Sequence, residues 1–197
     1  MTKTEAVNRI LRAAGMRTVS ALATGGSSDA AEAERVLDDC ELEIQSQGWH
    51  YNSRYDVTLA LDGNGYLVPD SSIISIDTYG VDACRDAVMV GGKLYDVENN
   101  TLVWTQAVKV WYIERHEFDC IPNQVQQYIA DYAAYQYALI RHNAGALGGT
   151  MVQSALHRYE SSRAMANGFD SERRNINILS TASTQRARGD RASRMRT

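Results

Sequence analysis

Apolar residues recur at the three-to-four spacing of a helix over two early stretches of the chain. From Glu5 to Ala14, the residues Val7, Ile10, Leu11 and Ala14 fall on one stripe. Thr4 stands where an N-cap belongs, and Gly15 can take the left-handed conformation that ends a helix. After the small-residue loop TGGSSD, a longer helix is predicted from Asp29 to Gln47, with Ser28 as its cap. Asp29 and Glu32 sit in its first turn, where the helix dipole favours negative charge. Ala33, Val36, Leu37, Cys40 and Ile44 form its apolar stripe, opposite Glu34, Asp38, Glu41 and Gln45, and Gly48 ends it.

The period then changes from 3.6 to 2. Tyr55, Val57, Leu59 and Leu61 alternate with Arg54, Asp56, Thr58 and Ala60, the pattern of a half-buried strand. DGNG at 62–65 is a turn signal. GYLVP and SIISID read as further short strands, VMVGGKLYDV as a hairpin through Gly91 and Gly92, and Val108–Ile113 as a last strand. Pro122 restarts the helical period in a first turn, where its missing N–H costs nothing. Val125, Tyr128, Ile129, Tyr132, Tyr135 and Leu139 continue the stripe to about His142. NAGALGG breaks the chain, and a fourth helix is predicted over Met151–Ala166.

The pattern thus predicts an α+β chain: an antiparallel bundle of about four helices, an inserted antiparallel β subdomain and an extended C-terminal arm. The expected divisions are an N-terminal helix pair at 1–48, the β subdomain at 49–118, a C-terminal helix pair at 119–170 and an arginine-rich arm at 171–197.

Composition adds limits. The 197 residues are 44% hydrophobic and 22% charged, and a chain of this size can bury roughly 70% of its unfolded surface without staples. No apolar run approaches the ~20 residues of a membrane span, and MTKTEAVNRILRAAG lacks the apolar block of a signal peptide, so no membrane partner is expected. Cys40, Cys84 and Cys120 are odd in number and far apart, which favours a reduced compartment over a disulfide scaffold.

Charge changes the picture more. The formal net charge is −4, but from Ser171 onward seven arginines face only Glu172 and Asp190, a local balance of +5 that leaves −9 on the preceding residues. An acidic body with a basic tail predicts an arm that docks on a partner; a solvated terminus is the alternative for such a composition.

Catalytic chemistry is sparse. His50, His116, His142 and His157 are scattered, and His116 and Cys120 in HEFDC lack the second pair that zinc requires. The glycine pairs are not followed by Lys-Ser/Thr, which excludes a P-loop reading, and no nucleophile elbow is present. The acidic run DDCELE at 38–43 has the spacing of a solvated helix face, and the tyrosines at 128, 132, 135 and 137 that of a core or subunit interface rather than a base-stacking platform. No catalytic residue, metal or cofactor is expected.

One further pattern carries function. AVNRILRAAGMRTVSAL (6–22), DAAEAERVLDDCELE (29–43) and IQSQGWHYN (44–52) together resemble tail tubular protein A of short-tailed bacteriophages, the podoviruses. In that family a first helix leads to a Val-x-x-Leu loop, matched by Val19 and Leu22. An alanine-rich helix then closes on Gln-x-x-Gly-Trp with an aromatic residue and an asparagine after it, matched by Gln45, Gly48, Trp49, Tyr51 and Asn52. The order of elements beyond residue 52 is also similar.

The resemblance implies a non-enzymatic virion protein assembled in the host bacterial cytoplasm. It would form a dodecameric adaptor ring between the portal protein and the tail nozzle, tail tubular protein B, with DNA passing through without specific binding. On that reading the arm, with Ile176, Ile178 and Leu179 as apolar anchor and Arg186, Arg188, Arg191, Arg194 and Arg196 as its charge, docks on the portal. Gly48 would let the chain reverse, placing Trp49 to seal the helix pair against the first strand. Two other classes stay open at this level: a tail-associated carbohydrate hydrolase, needing two convergent carboxylates, and a nucleic-acid binder acting through the arm.

Overall fold

The computed structural model describes residues 1–22 and 27–173. Its fold is α+β: four helices and antiparallel sheets, in the order α1 (Lys3–Ala13), α2 (Ser28–Gln45), β1 (Ser53–Leu59), β2 (Ile73–Thr78), β3 (Ala87–Val90), β4 (Lys93–Asp96), β5 (Val108–Glu114), α3 (Asn123–Asn143) and α4 (Gly149–Arg173).

Helix starts differ from the expected caps for a local reason. Thr2, not Thr4, caps α1, because Glu5 lies three residues on and closes a capping box: Glu5 N–H donates to Thr2 Oγ1 at 3.3 Å and Thr2 N–H to Glu5 Oε2 at 2.8 Å. Ser27 rather than Ser28 caps α2, accepting from Ala30 N–H at 3.3 Å. Pro122 is itself the N-cap of α3, with extended backbone, instead of sitting inside the first turn. α4 begins two residues earlier than Met151 and runs seven beyond Ala166, through Gly168 and three residues into the stretch assigned to the arm.

α3 is the axis of the bundle and packs against α1, α2 and α4. Its buried face is wider than one stripe and includes Val125, Tyr128, Ile129, Ala130, Ala133, Ala134, Tyr137 and Ala138. The alanines let neighbouring helices approach closely. Most of the helical core is one cluster, with Val7, Ile10, Leu11, Leu37, Ile44, Trp49, Phe118 and Ile121 among its members.

In the sheet, β5 is central, paired antiparallel with β1 on one side and β2 on the other. β3 and β4 form a separate hairpin turned by Gly91 and Gly92, both at positive φ as a two-residue hairpin turn requires. GYLVP does not form a strand: Leu67 and Tyr66 make only isolated bridges to Leu61 and Val103, and Pro69 offers no N–H to a ladder. The alternation expected of β1 also breaks. A bulge between Arg54 and Val57, with Asp56 at φ +59°, turns Tyr55 outward to 59% exposure, where its ring stacks on Trp111. Leu67, Ile76, Ala87, Leu94, Trp104, Val108 and Val110 make a second core inside the β unit.

Candidate functional site

Five of the seven motif residues meet where α2 ends and the chain enters β1. Gly48 adopts φ +75°, and a Cβ there would stand 3.0 Å from Ile113 Cδ1 on β5. The turn therefore needs glycine for its conformation and for the close approach of the sheet. It delivers Trp49 into the helical core, 4% exposed, with its ring 5.9 Å from Tyr128 and its indole N–H donating to Ile44 O at 2.6 Å.

Asn52, wholly buried, accepts from Trp49 N–H at 2.8 Å and donates through Nδ2 to Gln45 O at 3.0 Å. Its own carbonyl accepts from Glu114 N–H at the end of β5. Gln45, also wholly buried, exchanges two bonds with the backbone of His116: Nε2 donates to His116 O at 2.9 Å and Oε1 accepts from His116 N–H at 2.9 Å. Its Nε2 donates further to Glu41 Oε1 at 3.0 Å. The end of α2 is thereby joined to both ends of the β unit.

Tyr51 packs its ring 5.7 Å from that of His116. Tyr51 Oη and His116 Nε2 are buried with no hydrogen-bond partner among the described residues, and burial pushes the phenol well above its ordinary range. His50 N–H, between Trp49 and Tyr51, donates to Asp170 Oδ1 at 2.6 Å and ties the loop to the last turns of α4.

Val19 and Leu22 do not join this hub. They pack on the helical core along α1, where Asn8 brackets Val19 with two 2.8 Å bonds, Nδ2 to Val19 O and Val19 N–H to Oδ1. Ile176, Ile178, Leu179, Arg186, Arg188, Arg191, Arg194 and Arg196 lie outside the described residues.

Beside the hub is a cleft of about 390 Å³ between the start of α1, α2 and the β5–α3 connection, lined by Lys3, Asp38, Glu41, Arg115, His116 and Asp119 among others. Most of its charges are engaged with one another. Lys3 Nζ bridges Asp38 at 2.8 Å and Glu34 at 3.1 Å, its N–H donates to Asp119 Oδ1, and Arg115 Nη2 lies 3.5 Å from Glu41 Oε1. Burial raises the Glu41 carboxyl, an effect the nearby Arg115 only partly offsets. Cys40 is buried, and burial, with Glu43 and Asp39 nearby, pushes its thiol up to about 12, so it packs as a small apolar group. Among the described residues no three His, Cys, Asp or Glu side chains are grouped as a metal ligand set.

The tyrosines divide between core and helix interface. Tyr128 and Tyr137 are buried. Tyr159 of α4 stacks on Tyr135 at 5.7 Å and on Tyr128 at 6.0 Å and meets Tyr132 at 5.1 Å, while Tyr132 Oη donates to Glu43 at 3.1 Å. The rings that could have met bases meet each other instead. Glu41, Arg115, His116 and Tyr159 carry much of this architecture and are absent from the sequence motif. Gln45 and His116 are 71 positions apart, and nothing in their local spacing announces the pair.

Comparison with curated proteins gives no match. A family model described as tail tubular protein matches residues 4–176, which run from the first turn of α1 to just past α4 and contain the whole hub. The chain belongs to the tail tubular protein family, structural components of the bacteriophage tail.

Proposed function

We propose that this protein forms the adaptor ring, of twelve copies, between the portal and the tail nozzle of a short-tailed phage, extending the DNA channel for genome retention and ejection. The observation that carries this reading is the family match across residues 4–176. The charge distribution is consistent with it. An acidic body repels the phosphate backbone, so DNA can slide along a lumen without sticking. Ring closure needs heterologous contacts, each subunit offering two different faces. No helix among the described residues is long and apolar enough to cross a membrane.

Negative-stain imaging of the purified protein, alone and with its portal, tests the reading. Rings or ring-capped portals are expected. A protein that stays monomeric and leaves the portal bare would overturn it.

The arginine-rich segment is the portal-docking arm in this scheme, with Ile176, Ile178 and Leu179 as anchor and Arg186, Arg188, Arg191, Arg194 and Arg196 meeting an acidic portal surface. Deleting residues 181–197 should leave the thermal transition unchanged and abolish portal binding. Portal binding at wild-type strength by that truncation would remove the arm from the mechanism.

A further inference from the structure

Three adjoining depressions run along the seam between α1 and α4, and Arg158 lines every one of them. Arg12 lines two, as does Arg9. The depressions share these arginines as lining, which puts basic walls on this groove in a body whose overall charge is strongly negative.

The three arginines differ in state. Arg9 is held by Asp131 of α3 through two bonds, Nε to Oδ1 at 2.7 Å and Nη2 to Oδ2 at 2.8 Å, which fixes its guanidinium beneath the groove. Arg12 and Arg158 are exposed and lie within 4 Å of no carboxylate among the described residues, although Arg158 is near enough to favour the charged form of the buried Asp131. Glu5 at one end is the only exposed carboxylate in the lining. Met151 and Met165, both exposed, give the groove apolar surface as well. Two exposed arginines flanked by pliable methionines suit a partner that is acidic with an apolar centre.

α2 presents such a surface. Asp39 and Glu43 are exposed on it, one turn apart, with Leu42 between them at 43% exposure. Among the described residues Asp39 has no ion-pair partner, and the Glu43 carboxylate accepts only from the Tyr132 hydroxyl. The two surfaces share no residue: one is on α2, the other on α1 and α4, and all three helices pack on α3. Distinct complementary faces on one chain are what a head-to-tail contact requires.

We propose that the α1–α4 groove of one copy receives the α2 face of the next, with Arg12 and Arg158 against Asp39 and Glu43, and Met151 and Met165 around Leu42. This rests on the ring reading above and assigns the two faces that close it. Exposed ion pairs contribute little individually, so the charges set register and orientation while the methionine–leucine contact supplies buried area. Repetition around a closed ring makes a modest contact sufficient.

Charge reversal in the full chain tests the pairing. R12E/R158E makes both faces acidic and D39R/E43R makes both basic. Followed by sedimentation velocity and negative stain, alone and on the portal, wild type should give rings and each variant alone should lose them. An equimolar mixture of the two variants should recover rings, as should a chain carrying all four substitutions. Recovery on mixing shows that the variants are folded. Variants that assemble like wild type would overturn this contact and leave the ring reading standing. Loss without recovery on mixing would overturn the pairing of these two faces. A wild type that is monomeric under every condition would overturn the ring reading and the contact with it. Salt-sensitive binding of a duplex oligonucleotide by wild type, lost in R12E/R158E, would assign the groove to nucleic acid instead.

Discussion

Trp49 shows how a single side chain fastens the end of a helix. Gly48 turns the chain, the indole enters the bundle against Tyr128, and its N–H donates to the carbonyl of Ile44 in the last turn of α2, which also accepts from Gln47 N–H at 3.3 Å. Trp49→Ala removes a buried aromatic and is expected to cost roughly 3–5 kcal/mol, read as a lower denaturant midpoint. An unchanged midpoint would mean the ring contributes no packing.

Glu41 makes a prediction with a sign. Burial holds its carboxyl above the ordinary value of 4.5, with Arg115 and Lys3 pulling the other way. A carboxyl raised in the folded state binds its proton more readily there than in the unfolded chain. Its contribution to stability is therefore full below about pH 4.5 and is lost as pH rises through the folded value. Glu41→Gln is neutral at every pH. Its stability relative to wild type should be more favourable at pH 7 than at pH 4, as urea titrations at the two values would measure. A difference that does not change with pH would place Glu41 at its ordinary value.

At the scale of elements, α4 is a helix whose own sequence says little about which face is buried. Only Val152, Ala155, Ser162 and Ala166 are buried along its 25 residues. Its docking depends on Tyr159, which meets three tyrosines of α3, and on the buried carboxylate of Asp131 on α3, which Ser162 and Arg158 of α4 approach as well as Arg9 of α1. Tyr159→Ala should cost about 2–3 kcal/mol, less than a fully buried aromatic because the residue is only partly buried. Amide exchange along α4 should accelerate more than along α3. Equal acceleration in both would show that α4 does not dock independently.

At the scale of the molecule, most of the helical core and the β core are separate clusters, joined through the hub of Gln45, Asn52 and His116. Asn52→Ala leaves the buried Trp49 N–H unpaired, at about 1–3 kcal/mol, and leaves Gln45 O with only the Gly48 N–H. Protection of amides in β1 and β5 should fall by more than protection in α3, because the join is lost and the bundle core is not. A uniform loss throughout the chain would mean the two cores unfold only together.

The order and type of nearly all elements were legible in the chain because they depend on local periodicity. Val7, Ile10, Leu11 and Leu37, Cys40, Ile44 lie where the 3.6-residue period puts them, and DGNG and Gly91–Gly92 turn as their φ angles demand. The family motif was legible too, because its residues lie in short stretches of the first 52 positions. The exceptions are set at a distance. Tyr55 faces solvent because a bulge against β5 reverses its side, GYLVP finds only single bridges, and α4 extends to Arg173 where its late turns meet the 49–52 loop through Asp170. Likewise Gln45 with His116, and Arg9 with Asp131, bring together residues 71 and 122 positions apart, and hydrogen bonds of that span leave no mark on local composition. Local patterns thus decide which segments become helix or strand. Which faces remain open, with Arg12 and Arg158 on one side and Asp39 and Glu43 on another, is decided only when those segments pack, because exposure belongs to the assembled bundle and not to any single helix.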